Sequence, residues 1–161
     1  MPVAREQALE TLTMLGVAPI FLQSYKDEPL PKDLDLFFRA PGEFFIGPET
    51  QEFYTEGRLI PLLDNGSFAL VLFYDPQNKA FIRKYIEDPE VEIHYANWQQ
   101  YLADLMIEIA EGKDADDSEL AEIATLIEFK HLEETIAFLD SLPESSYDQY
   151  ERNKRDFIAT L

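Results

Sequence analysis

The sequence contains no cysteine, and this absence excludes several kinds of chemistry. Without thiols the chain can form no disulfide bond, use no cysteine nucleophile and build no cysteine-based zinc site. It also lacks any apolar run approaching the ~20 residues that a membrane-spanning helix needs. The opening residues, MPVAREQALETL, carry charges where a secretory signal peptide would need an apolar core. We therefore expect a cytoplasmic protein with no membrane partner.

Basic residues are scarce. Thirteen Lys and Arg stand against 32 Asp and Glu, so the formal net charge is −19 at pH 7. A field of this sign repels phosphate backbones and attracts cationic partners. The charge therefore argues against nucleic acid as a ligand and favours a basic protein as the partner. Residues 104–144 alone carry thirteen acidic residues against two Lys, a run that also suits an ordinary solvated helix face.

Large side chains, in contrast, are plentiful. Apolar residues make up 46% of the chain and aromatic residues 13%, which is far richer than a disordered protein would be. At 161 residues the chain has the length of one ordinary domain. We expect residues 1–161 to fold as a single domain.

The stretch LIPLLDNGSFALVLFY predicts a β-hairpin. Asn65 and Gly66 both tolerate positive φ, so they favour a tight turn between two apolar strands. A second turn at 75–78 separates SFALVLFY from AFIRKYIE. The result is a three-stranded antiparallel meander over about residues 58–87. Its middle strand is apolar on both faces, so helices are expected to cover both.

The N-terminal part favours helices and short strands. Residues 4–15 have helical apolar spacing, and Gly16 suits the end of that helix. A short second helix is expected from Pro31, ending at Pro41-Gly42. Brief edge strands are expected at 43–47 and 52–54, separated by a proline that cannot donate to a sheet.

After the meander the sequence predicts a strand at 91–95 and a helix with Asn97 as its N-cap. Gln100 lies three residues later, as in a capping box, and Gly112 suits the end of the helix. The apolar stripe of this helix consists of Trp98, Leu102, Leu105, Met106 and Ile109.

The C-terminal part predicts more helix. Asp116, with Glu119 three residues on, favours the start of a long helix that runs through Leu139. Its apolar stripe drifts after Ile127, which indicates a kink. A break at 143–144 follows, and Ser146 opens a terminal helix.

These elements together predict an α+β fold. A mostly antiparallel sheet, centred on the meander, would be flanked by helices. Residues 1–112 would form the core, and residues 113–161 would form an acidic helical extension packed on it.

The residues give little support for a catalytic site or a metal-binding site. Glu128 and His131 have the Glu-x-x-His spacing of carboxylate metal bundles, but no second such pair exists. The aspartates of the KDADDS linker lack the glycine and glutamate of a calcium loop. We therefore expect no enzyme activity, no metal and no cofactor. The alternative, a hydrolase assembled across the fold, would need a deep pocket in which His94 or His131 meets carboxylates.

A resemblance to a known family adds to this interpretation. The segments LPKDLDLFFRAPGEF, GRLIPLLDNGSFALVLFYDPQNKAFIRKYIE and ANWQQYLADL resemble, in order and spacing, the SUKH family, which includes a regulator of cell-wall synthesis and bacterial immunity proteins. The similarity covers about residues 30–106. Its matching features are Leu30-Pro31, Ile60-Pro61, Asp75 and Asn97-Trp98. The chain departs from the family at Pro41-Gly42, where Asn-Gly is frequent, and in its acidic C-terminal residues.

The resemblance implies an α+β fold and a protein-binding function without shared catalytic residues. In bacteria it implies an immunity protein that binds and neutralises a toxin domain, in many cases a nuclease. A toxin that acts on nucleic acid needs a basic cleft, to which an acidic inhibitor would be steered. A regulatory or scaffolding protein without a toxin partner is the alternative.

We expect the partner to contact acidic groups and exposed aromatic side chains, such as those in FFIGPETQEFY. Each candidate taken singly also fits an ordinary solvated surface, and the sequence leaves the oligomeric state open. The candidates around the sheet edge are Glu43, Glu49, Glu52, Tyr54 and Asp64, and those in the linker are Asp114, Asp116 and Asp117.

Overall fold

An antiparallel sheet with the strand order β1-β2-β3-β4 forms around the predicted meander, within a computed structural model that describes residues 1–142 and 145–161. The strands are β1 (Ile60–Asp64), β2 (Leu70–Asp75), β3 (Ala80–Tyr85) and β4 (Glu92–Tyr95). Every residue of β2 is buried, as its continuous apolar sequence predicts. With helices before and after the sheet, the architecture is α+β, which confirms the predicted fold class.

The two turns of the meander differ in length. Asp75 forms the predicted tight turn, because its Oδ1 accepts hydrogen bonds from the amides of Gln77 at 3.0 Å and Asn78 at 3.3 Å. The β1–β2 connection is a longer loop, residues 65–69, instead of the tight turn expected. The Asn65 Oδ1 accepts hydrogen bonds from the amides of Ala69 and Leu70, which holds the wider loop closed.

The chain divides into two compact units, Met1–Tyr95 and Ala96–Leu161. The first helix of the second unit was grouped with residues 1–112 in the sequence analysis. The expectation of a single domain stays a prediction.

The first unit holds the sheet and a series of short helices. Its α-helices are α1 (Arg5–Leu15), α2 (Pro19–Gln23), α3 (Gly42–Ile46) and α4 (Glu52–Thr55), and its 3₁₀ helices are Ser24–Lys26, Pro31–Leu36 and Pro48–Gln51. Helix α1 ends where predicted, at a left-handed Gly16 with φ of 70°. It packs beside β1.

One apolar cluster of this unit joins α3 to the sheet. The ring of Phe44 packs on Phe73 of β2, with 6.0 Å between ring centroids, and edge-on to Phe68 at 4.9 Å. Leu59, Val71 and Ile82 complete the buried part of this cluster. The short helices after residue 40 are therefore fixed by burial of aromatic surface, not by their own length.

The structure corrects the expectations for residues 31–55. Pro31 opens a 3₁₀ helix interrupted by positive φ at Lys32 and Asp33. A helix begins at Pro41-Gly42, where the sequence predicts that one ends.

The edge strands predicted at 43–47 and 52–54 are wrong, because both segments are helical. Before these helices, Arg39 bridges to the edge strand β1 through two backbone hydrogen bonds with Asp64 of 2.9 and 3.3 Å. The chain then leaves the sheet edge. Pro48 takes the first position of a 3₁₀ helix, where its missing N–H costs nothing.

The second unit is helical in its described residues. Its helices are α5 (Trp98–Lys113), α6 (Asp117–Ile127), α7 (Leu132–Ser141) and α8 (Tyr147–Ala159). The side chains of the three predicted N-caps, Asn97, Asp116 and Ser146, each accept a hydrogen bond from the amide three residues on. No helix in the described part of the chain is long and apolar enough to cross a membrane.

Two boundaries in this unit differ from expectation. Helix α5 passes Gly112 and ends one residue later, with Asp114 in the left-handed conformation. The long helix predicted through Leu139 is two helices, because Glu128 is left-handed at the point where the apolar stripe drifts. The break predicted at 143–144 lies outside the described residues.

Candidate protein-binding surface

The exposed side chains of residues 42–55 combine carboxylates with apolar groups. Ile46 is 88% exposed and Phe53 is 82% exposed, although both are large apolar side chains. Glu43, Glu49 and Glu52 are exposed in the same stretch. We refer to these five side chains as the 42–55 surface. An apolar side chain held in water beside charges is typical of a contact surface.

Tyr54, the residue after Phe53, is anchored to β3 and to the residue that follows it. The Tyr54 hydroxyl donates a hydrogen bond to the carbonyl of Ile86 at 3.0 Å. The buried Lys84 ammonium donates one to the carbonyl of Tyr54 at 2.9 Å. Lys84 also lies 3.5 Å from Glu56, which follows α4. These contacts fix Tyr54 inward, so the adjacent Phe53 is held outward at little further entropic cost on binding.

Gln51 anchors the other end of this stretch. Its fully buried side chain donates hydrogen bonds from Nε2 to the carbonyls of Val3 at 2.9 Å and Phe44 at 3.1 Å. Its Oε1 accepts one from the Val3 amide at 2.7 Å. One amide side chain thus ties the N-terminal residues to α3.

Arg39 joins the 42–55 surface to the sheet edge. Its guanidinium donates from Nε to both carboxylate oxygens of Asp64 at 3.0 Å, and from an Nη atom to Glu43 at 2.9 Å. Burial raises the pKa of Asp64, while the Gly66 amide and Arg39 act to lower it. Burial has the larger effect, so the pKa of Asp64 lies above its usual value, although the carboxylate accepts a hydrogen bond of 2.7 Å from the Gly66 amide.

The structure sorts the candidates that the sequence placed at the sheet edge. Glu43, Glu49 and Glu52 lie together on one stretch and are exposed, but on helices instead of strands. Tyr54 is half-buried and bonded to the sheet. Asp64 has a side chain with no exposed area, so in this structure it offers no surface to a partner, and its expected role in contact stays a prediction.

The candidates of the linker lie in the second unit, where two of them have roles in the backbone. Asp114 is the left-handed residue that ends α5, and Asp116 caps α6 by accepting a hydrogen bond from the Glu119 amide at 2.8 Å. Asp117 is exposed in the first turn of α6. A carboxylate in the first turn interacts favourably with the helix dipole and so stabilises the helix. This role explains the presence of Asp117 without a binding partner.

Sequence reasoning missed Ile46 and anticipated Phe53 only as one of the aromatic residues in FFIGPETQEFY. In a strand, successive side chains would alternate between the two faces of the sheet, and this pattern gives no reason to single out Ile46 or Phe53. The signal that could have found Phe53 is its position directly before a tyrosine, since a tyrosine can bury its ring and bond through its hydroxyl.

The histidines lie in simple local environments. His94 has a 66% exposed side chain and lies 2.9 Å from Glu92 on the same strand. His131 precedes α7 and lies 3.5 Å from Glu134. Three cavities of the first unit, of about 750, 340 and 280 Å³, are lined by neither of them. The described residues hold no cluster of three or more side chains placed to bind a metal ion.

Comparison with protein-family models, with curated proteins and with solved structures gave no match. The resemblance to the SUKH family therefore stays a prediction based on the residues that carry it.

Proposed function

We propose that this chain is a SUKH-like protein-binding module that binds a basic protein through the 42–55 surface. The observation that carries the proposal is Phe53, which is 82% exposed directly before Tyr54, a residue that two hydrogen bonds hold to β3 and the residue after it. Exposed aromatic side chains held in one conformation contribute much of the affinity of protein interfaces. The neighbouring carboxylates of Glu49 and Glu52 favour a partner that carries Lys and Arg.

We further propose that the partner is a toxin domain and that this chain neutralises it in the cytoplasm. The net charge of −19 supports this role, because a toxin that acts on nucleic acid needs a basic cleft. An acidic inhibitor is steered to such a cleft and can cover it. The resemblance to SUKH immunity proteins points to the same function.

The test is a pull-down from the source cells with tagged protein, with mass spectrometry of the retained proteins. The test variant carries Glu52→Lys and Phe53→Ala. The matched control carries Glu10→Lys and Met14→Ala, which change an exposed acid and a 68% exposed apolar residue on α1. We expect one basic partner that the wild type and the control retain and the test variant loses. Truncating an interface aromatic of this kind weakens binding by about 30-fold or more.

Growth separates the immunity role from a scaffolding role. The gene of the retained partner is expressed with and without this chain. Toxicity that the wild type relieves and the Phe53 variant does not would support immunity. A partner that is harmless on its own would favour the scaffolding alternative, and equal retention by all three proteins would contradict the proposed surface.

A further inference from the structure

A mostly apolar groove lies beside the 42–55 surface. It is a cavity of about 750 Å³ between the N-terminal residues and α3, a volume within the ~300–1,000 Å³ of ligand-binding clefts. Its apolar lining consists of Pro2, Val3, Ala4, Phe45, Ile46 and Pro48. We call it the N-terminal groove. Ile46 belongs both to this groove and to the 42–55 surface, so the two are continuous.

The walls of the groove are held in place before anything binds. The buried Gln51 side chain bonds both the amide and the carbonyl of Val3 on one wall and the carbonyl of Phe44 on the other. Arg5 donates a hydrogen bond to the carbonyl of Tyr25 and lies over the Tyr25 ring, 5.2 Å from its centre. A groove with fixed walls loses little conformational entropy on binding.

Carboxylates outnumber cations around the groove. Asp27 lines this cavity and the two smaller ones of about 340 and 280 Å³, and the cavity of about 280 Å³ also shares Arg5, Gly42 and Ile46 with the groove. The acidic lining residues of the three cavities are Glu6, Asp27, Glu28, Asp35 and Glu43, and the basic ones are Arg5 and Arg39. Both guanidinium groups already bond to this chain. Arg5 also lies 3.7 Å from the Asp27 carboxylate, but the Asp27 side chain is 87% exposed, so a second cation can reach it from solvent.

We propose that the N-terminal groove binds an extended segment of the basic partner. An apolar side chain of that segment packs against Ile46 and Phe45, and a neighbouring Lys or Arg lies beside Asp27. The charge of the lining selects a cation, and the apolar wall selects a side chain with a hydrocarbon part. This inference rests on the proposed function for the identity of the partner, but its chemistry can be tested without the partner.

The test uses three blocked tripeptides and nuclear magnetic resonance of the full, isotope-labelled chain. The probes are acetyl-Leu-Arg-Leu-amide, acetyl-Leu-Glu-Leu-amide and acetyl-Ser-Arg-Ser-amide. We expect saturable shifts of the Ala4, Asp27 and Ile46 amides with the first peptide. The acidic peptide should give none, and the serine peptide should bind at least about fivefold more weakly, since it lacks the apolar contacts.

Two variants and a matched control locate the site. Asp27→Asn suits the left-handed conformation of this position, at φ of 56°, and should weaken the first peptide about two- to fivefold. Ile46→Ser should weaken it about tenfold. The control, Glu10→Gln with Met14→Ser, should change nothing. No saturable shift, equal binding of the acidic peptide, or shifts away from the groove would overturn the inference.

The experiments distinguish a failure of this inference from a failure of the proposed function. If the pull-down depends on Phe53 but not on Asp27 or Ile46, the 42–55 surface binds the partner and the groove does not. If the peptide binds in the groove but no basic partner is retained from cells, the groove stands and the proposed function falls.

Discussion

At the scale of single residues, the loop between β1 and β2 depends on a close approach of two backbones. Gly66 has φ of +94°, and a Cβ atom there would lie 2.4 Å from the carbonyl oxygen of Leu36. The Asp64 carboxylate accepts a hydrogen bond from the Gly66 amide and pairs with Arg39. This loop therefore presses against the 3₁₀ helix that precedes the 42–55 surface.

Replacing Gly66 with alanine tests this approach. Gly57→Ala is the matched control, because Gly57 also has a positive φ, +73°, but a Cβ atom there would meet nothing within 4 Å. We expect Gly57→Ala to lower the free energy of unfolding by about 1 kcal/mol, from the conformation alone. Gly66→Ala should cost at least about 1 kcal/mol more. Urea denaturation measures both free energies of unfolding. Equal losses would show that the Leu36 backbone moves away from the added Cβ atom without strain.

Asp75 gives a prediction on pH. Burial acts to raise the pKa of this carboxyl group, but hydrogen bonds from Asn78 and Arg58 outweigh it, so the pKa lies below its usual value. An acid with a lowered pKa in the folded state stabilises the fold above the unfolded pKa. That contribution is lost as the pH falls through the folded value.

Asp75→Asn should therefore be less stable than wild type near neutral pH, by about 1 to 3 kcal/mol. The difference should shrink between about pH 5 and pH 2, as the wild-type carboxylate is protonated. Denaturation curves over this range measure it, with the exposed Asp88→Asn as control. A difference that is constant with pH would mean that the Asp75 charge does not stabilise the turn.

At the scale of elements, the short helices α3 and α4 hold their positions through tertiary contacts. Each has about one turn, which is too short to be stable alone in water. Burial of Phe44 fixes α3, and the bonds of Tyr54 fix α4. The Gln51 side chain joins α3 to the N-terminal residues.

Gln51→Ala should release the N-terminal residues from α3. It leaves the Val3 amide and the Phe44 carbonyl without their bonding partner, so we expect a loss of about 1 to 3 kcal/mol in the free energy of unfolding. Hydrogen exchange at the Val3 amide should accelerate. Gln7→Ala, an exposed glutamine of α1, is the control. If the Val3 amide remains protected, Gln51 does not hold the groove together.

At the scale of the whole molecule, the charge of −19 acts at a distance. Its field extends beyond the contact surface and raises the rate of encounter with a basic protein. The contacts of Phe53 and Ile46, in contrast, act only after docking, and they govern how long a complex lasts. Charge and apolar contact therefore affect different rate constants.

Salt separates the two effects. Between about 0.05 and 0.5 M salt, the association rate constant with the retained partner should fall about tenfold or more, because screening shortens the reach of the field. The dissociation rate constant should change little, while Phe53→Ala should raise it. Stopped-flow or surface-based kinetics measure both constants. An association rate that does not depend on salt would contradict electrostatic steering.

Elements whose signals are local could be predicted from the residues alone. The caps at Asn97, Asp116 and Ser146 depend on an amide three residues away, and the Asp75 turn on its own side chain, so neighbours in the chain suffice to predict them. The all-buried β2 follows from its continuous apolar run. These signals also predicted the α+β class.

The helical form of residues 42–55 and the burial of Asp64, in contrast, depend on tertiary contacts. A short run of apolar and acidic residues fits a strand or a helix equally well, and packing of Phe44 on the sheet selected the helix. The buried Asp64 carboxylate is paired with Arg39, 25 residues earlier in the chain, and this pair offsets part of the cost of its burial. Phe53 is exposed because Lys84 of β3 and Ile86, which follows β3, hold the neighbouring Tyr54 inward. Contacts between residues distant in sequence leave no local pattern, which is why the candidate surface emerged only with the fold.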